Sequence, residues 1–150
     1  MKKILLIGLL GIALFSYLDK NVQTTQIVQN VYAGYTVDSE SNSALQNAID
    51  NRQSNVQVAG TGEVTKMLSD DLKGSRHQRF ILKIASGTTL LVAHNIDLAS
   101  RIDGLNVGDT VEFYGVYEFN NKGGVIHWTH HDPRGKHQGG WLKHNGSVYQ

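Results

Sequence analysis

The chain has 150 residues with 14 Lys/Arg against 13 Asp/Glu, and 40% of it is hydrophobic. That length holds one domain plus a leader or tether, and the even charge excludes a binder working through a strongly basic surface. The lack of cysteine removes disulfides, thiolate metal sites and lipid attachment through sulfur.

Met1-Lys2-Lys3 and the apolar run Ile4 to Leu18 have the form of a signal peptide or a short signal anchor over residues 1–18. The run falls short of the roughly 20 residues that span a bilayer as a helix. Either form places the remainder outside the cytoplasm, periplasmic or secreted, with membrane contact only through an uncleaved leader. Residues 19–55 read as a polar tether with a short helix near its end. Within Ser39 to Arg52, Ser43 and Gln46 suit a capping box, and Leu45, Ala48 and Ile49 share one helical face.

From Val56 the periodicity is that of strands. Val56, Val58, Gly60, Gly62, Val64, Lys66 and Leu68 alternate with mostly polar residues, and the two glycines predict a bend or bulge. After the polar loop Ser69 to Arg76, the segments Gln78–Ala85 and Thr88–His94 flank Ser86-Gly87 as a hairpin. A two-residue turn there pairs Phe80 with Ala93 and Leu82 with Leu91 on the inner face. It pairs Arg79 with His94 on the other face, gathering His77, Gln78, Arg79, His94 and Asn95 at the hairpin's open end.

Asn95 to Asp103 suits one or two helical turns. Thr110–Phe119 and Val125–His131 form a second hairpin, and Asn145-Gly146 turns a small terminal one. The order of elements over residues 56–150 predicts a mainly β fold: a small OB-like five-stranded barrel with a short helix between strands three and four.

Five of the seven histidines fall between His127 and His144. Imidazole titrates near neutrality and is the commonest metal ligand, so this segment marks the working surface. His130 and Asp132, two apart on a strand, project to one side about 7 Å apart at the backbone and form a candidate metal pair for zinc or magnesium. For acid–base chemistry the candidates are His94, His131 and Asp132, supported by His77, with Arg79 holding an anion. Gln78, Asn95, His127, Trp128, Arg134 and His137 complete the expected ligand-binding set.

Five blocks carry a family resemblance: Gly74-Ser75-Arg76-His77-Gln78-Arg79-Phe80, Ala93 to Ala99, Gly108 to Gly115, His127-Trp128-Thr129-His130-His131-Asp132-Pro133, and Gly140-Trp141-Leu142-Lys143-His144-Asn145-Gly146. Together they resemble a family of small exported bacterial proteins that is a domain of unknown function. The resemblance implies a bacterial, extracytoplasmic protein and transfers no catalytic residue.

Two functions follow as expectations. One is an extracytoplasmic hydrolase, nuclease-like and metal-assisted, acting on a phosphate-containing or other anionic substrate through the His/Asp site. The alternative is a non-catalytic OB-fold binding module for nucleic acid, an envelope ligand or a partner protein.

Overall fold

The computed structural model describes residues 43–150. The expected leader, most of the tether and the first residues of the expected helix lie outside the described residues. Residues 43–50 are helical (α1), and Leu45 and Ala48 on its inner face are buried in the hydrophobic core. The helix stops because Arg52 takes a left-handed conformation, φ 54°, and the Gln53 N–H bonds back to the Ala48 carbonyl. That is the usual six-to-one closure of a helix C-terminus.

Seven strands follow: β1 (Val56–Met67), β2 (His77–Lys83), β3 (Thr89–Asn95), β4 (Thr110–Glu118), β5 (Val125–His127), β6 (Trp141–His144) and β7 (Ser147–Tyr149). The order β1-β2-β3-β5-β4 returns to β1 through the β1–β4 pairing, so five strands close a barrel of OB-like topology. Closure depends on the length of β1. Its first part pairs with β4, from Val56↔Tyr117 to Glu63↔Thr110, and its last part pairs with β2 across a bulge between Val64 and Lys66. Both glycines lie in the stretch paired with β4, Gly62 next to the change of partner at Glu63. A Cβ on Gly60 would strike the Phe113 ring, and one on Gly62 would press on the Lys83 carbonyl. Glycine here permits close approach of chain to chain.

The β2–β3 register differs from the expected one by a single residue. His77 pairs with Asn95, Phe80 with Val92 and Leu82 with Leu90. The turn holds three residues, 85–87, because the Ile84 N–H bonds to the Thr88 carbonyl and Gly87 sits at φ 86°. Phe80, Leu82, Leu90 and Val92 therefore fill the barrel, and His94 turns inward with them. A one-residue slip exchanges the faces of one strand relative to the other.

The expected helix between β3 and β4 is reduced to one turn, closed by the Ala99 N–H on the Asn95 carbonyl. Side chains from inside the barrel hold the following backbone out of a helix. Gln78 donates to the Ile102 carbonyl and accepts from its N–H, both at 2.9 Å. His94 Nε2 lies 3.2 Å from the Ser100 carbonyl. The terminal hairpin forms as the sequence implies, with Asn145 and Gly146 both at positive φ and His144 paired with Ser147.

Candidate binding groove

The second hairpin ends early. β5 stops at His127 because Trp128 adopts φ 53°, a costly left-handed conformation for a bulky residue. Yet the strand line resumes thirteen residues later: β5 pairs with β4 at Val116 to Glu118, and β6 pairs with β4 at Glu112 to Tyr114. Residues 128–140 are thus an excursion from one edge of β4. Its neck is pinched where the Gly140 N–H bonds to the His130 carbonyl at 2.9 Å. A Cβ on Gly115 would meet the His127 carbonyl, and one on Gly140 would meet those of Trp128 and Tyr114. Much of the histidine-rich segment is this loop.

Asp132 organises it. Its Oδ1 accepts the Arg134 N–H at 3.0 Å, and its Oδ2 accepts those of Lys136 at 2.7 Å and His137 at 2.8 Å. The Arg134 N–H first, with those of His137 and Lys136, holds this carboxyl below the usual carboxylate range. The Trp128 indole stacks on His137 at 4.3 Å and 7° and packs obliquely on His130 at 5.3 Å. Each of these imidazoles has Nδ1 against the carbonyl of the following residue, 2.8 Å for His130 and 2.9 Å for His137. A carbonyl only accepts, so Nδ1 carries the proton and Nε2 is the acceptor in the neutral ring.

Beside the loop runs a groove on the outer face of β2, β3 and β5. Parity puts His77 and Arg79 of β2, Leu91 and Ala93 of β3, and Val125 and His127 of β5 on this face. One hollow of about 410 Å³ lies between Asp71, His77, Arg79, Glu118 and His127 over a floor of Leu91, Ala93 and Val125. A second, of about 320 Å³, shares His77, Ala93 and His127 with it and continues to Asn95, Trp128, His130 and Arg134. The third, about 430 Å³, shares Trp128 and Arg134 and ends at Pro133, Lys136 and His137. The three adjoin one another through these shared residues, with Asp71 and Glu118 at one end and Arg134 and Lys136, beside Asp132, at the other.

Of the residues singled out from sequence, the groove unites His77, Arg79, Asn95, His127, Trp128, His130, Asp132, Arg134 and His137. His94 and Gln78 are elsewhere, fully buried inside the barrel. Both His94 ring nitrogens are engaged, Nδ1 with the Thr129 hydroxyl at 2.8 Å and Nε2 with the Ser100 carbonyl. Burial lowers its pKa to about 4, so the ring is neutral at pH 7. His131 is exposed, and no hydrogen bond joins its ring to His94 or Asp132. With Asp132 committed to the loop backbone, the expected His94, His131 and Asp132 do not converge. The His130–Asp132 pair gains no third ligand: no three His, Asp or Glu side chains suited to a metal stand together among the described residues.

Glu118 is a groove residue that the sequence pattern does not single out. It lies on the outer face of β4, diagonal to His127, with Oε1 3.6 Å from His127 Nε2. That separation is an ion-pair distance but longer than a hydrogen bond, and Nε2 is buried with no hydrogen-bond partner. Burial pushes His127 below its ordinary pKa, Glu118 pulls it back up, and the His137 and His77 charges add to the lowering. Strand alternation marked Glu118 as outward-facing, but only the β4–β5 register places it beside His127. Arg79 is aimed by Nε and Nη2, which donate to the Ser69 carbonyl at 3.1 and 2.9 Å.

A closed OB-like barrel with an outer-face groove, roofed at one end by a loop out of its last barrel strand, is the class of protein defined here. The chain belongs to the family described as a protein of unknown function, DUF3465, whose model matches residues 26–150. All five blocks noted above lie within that match. No curated protein matches the chain.

Proposed function

We propose that the protein is an extracytoplasmic binding module that holds a short length of single-stranded nucleic acid in the groove across β2, β3 and β5. The observation that carries this reading is the row of three adjoining hollows that makes up the groove. It runs over an apolar floor from Arg79 to Arg134 and Lys136, on the face between the first–second and fourth–fifth strand loops. Barrels of this topology use that face for extended strands. Its proposed place outside the cytoplasm rests on the leader pattern of residues 1–18. Binding is weak and salt-sensitive on this account. Three cations meeting phosphates give a slope of log K against log salt of about −2.

Anisotropy titrations of labelled oligouridylate and oligothymidylate at low ionic strength test it. Saturable binding is expected, weakened by Arg134→Ala and by Arg79→Ala, with the shallow slope above. Absence of saturable binding to both polymers would overturn the reading.

A further inference from the structure

The groove contains more than a binding surface needs. His127 and Glu118 form a carboxylate–imidazole pair on adjacent strands, Oε1 to Nε2 3.6 Å. His77 lines the same hollow, with Arg79 two residues along the same face of β2. We infer that His127 and His77 are the base and acid of a site that cleaves ribose phosphodiesters by transfer to their own 2′-hydroxyl, an activity that rests on the nucleic-acid reading of the groove.

The assignment of atoms follows from the partners. In this mechanism the His127 proton is on Nε2, which faces the accepting Glu118 carboxylate at 3.6 Å, and Nδ1 acts as the base. Nδ1 removes the 2′-hydroxyl proton, and the 2′-oxygen forms a bond to phosphorus. The bond from phosphorus to the 5′-oxygen breaks, and that oxygen takes a proton from the imidazolium of His77. The products are a 2′,3′-cyclic phosphate and a 5′-hydroxyl. His127 then returns its proton to solvent, and His77 regains one.

Arg79, aimed by the Ser69 carbonyl, neutralises the non-bridging oxygens as charge grows there. Glu118 is a positioning residue that stabilises the imidazolium as it forms; such contacts are long before substrate binds and tighten with charge. Burial first, and then the charges of His137 and His77, disfavour protonation of the His127 ring, which keeps it available as a base. A diester carrying its own nucleophile is the substrate for which acid–base groups suffice, because attack within one molecule has a high effective concentration.

The test uses the full chain, purified without a histidine tag, with oligouridylate, its 2′-O-methyl form and oligothymidylate, all in EDTA. Cleavage of oligouridylate alone, with a cyclic phosphate end seen by mass spectrometry, is expected. His127→Gln and His77→Gln, each checked for a native denaturation midpoint, should lower the rate by about 100-fold or more. Glu118→Gln should shift the acid limb of the pH–rate profile to lower pH, because Glu118 raises the pKa of His127. A packing role would leave that limb in place. Binding without cleavage would overturn this inference and leave the binding reading standing; no binding would remove both. Cleavage that survives both histidine changes, or that also consumes the 2′-O-methyl polymer, would likewise overturn it.

Discussion

The two faces of the β2–β3 hairpin carry similar residues and do opposite work. Inside, Gln78 and His94 face each other across the hairpin and are fully buried, with Gln78 and His94 Nε2 bonded to the loop between β3 and β4 and His94 Nδ1 to Thr129. Outside, one residue along each strand, His77 and Asn95 open onto the groove. A histidine in a strand is thus given its role by parity before its chemistry matters. Interior polar groups must be matched because an unpaired one has no water to turn to. Outside, the Asn95 Oδ1 accepts the Asp97 N–H at 2.9 Å, and His77 is left facing the groove.

The largest effect that sharpens this contrast is on stability. His94→Ala leaves the Thr129 hydroxyl and the Ser100 carbonyl without their partner and opens a cavity, a loss of about 4 kcal/mol. His77→Ala, on the outer face, should stay within about 0.5 kcal/mol of the parent. Urea unfolding of the two variants compares them directly; equal losses would break the distinction between the faces.

Acid should reveal the same asymmetry. His94 has a pKa of about 4 in the folded chain against 6.5 as its ordinary value. The unfolded chain therefore binds more protons between these limits. Its contribution is whole above pH 6.5 and is lost as pH falls toward 4, by about 3 kcal/mol in all. His94→Leu should flatten that part of the stability–pH curve. A curve of unchanged slope would place the titrating group elsewhere.

A smaller and local effect is expected in the loop. Asp132→Ala removes the acceptor of three backbone N–H groups, and the amides of Arg134, Lys136 and His137 should exchange with solvent about tenfold faster. The barrel amides should be unaffected. If the whole protein loosened together, Asp132 would belong to the core and not to the loop alone.

Much of the architecture was legible in the sequence, for reasons that can be named. Alternation in β1, the glycines at 60 and 62, and the Asn145-Gly146 turn each reflect a strong local constraint: chain contact at Gly60 and Gly62, and positive φ at the turn. The hairpin register was not legible, because Ser86-Gly87 suits a two-residue turn as well as the last two positions of a three-residue one. That one residue moved His94 from the expected site to the interior. The extent of the last barrel strand was equally hidden. Nothing in His127-Trp128-Thr129 announces that Trp128 will turn to φ 53° and send residues 128–140 out of the sheet. Asp132 looked catalytic because an acid beside histidines resembles a proton relay, while its partners are backbone N–H groups that a sequence pattern does not display. Alternation marked Glu118 only as outward-facing, since its meaning depends on the pairing of β4 with β5.

The central claim is that the outer face of β2, β3 and β5 is the working surface. The most direct test is a titration of isotope-labelled protein with oligouridylate, followed by amide chemical shifts. The largest shifts are expected at His77, Ala93, His127 and Arg134, with the terminal hairpin of β6 and β7 left still. Shifts centred on that hairpin, or none along β3 and β5, would contradict the account.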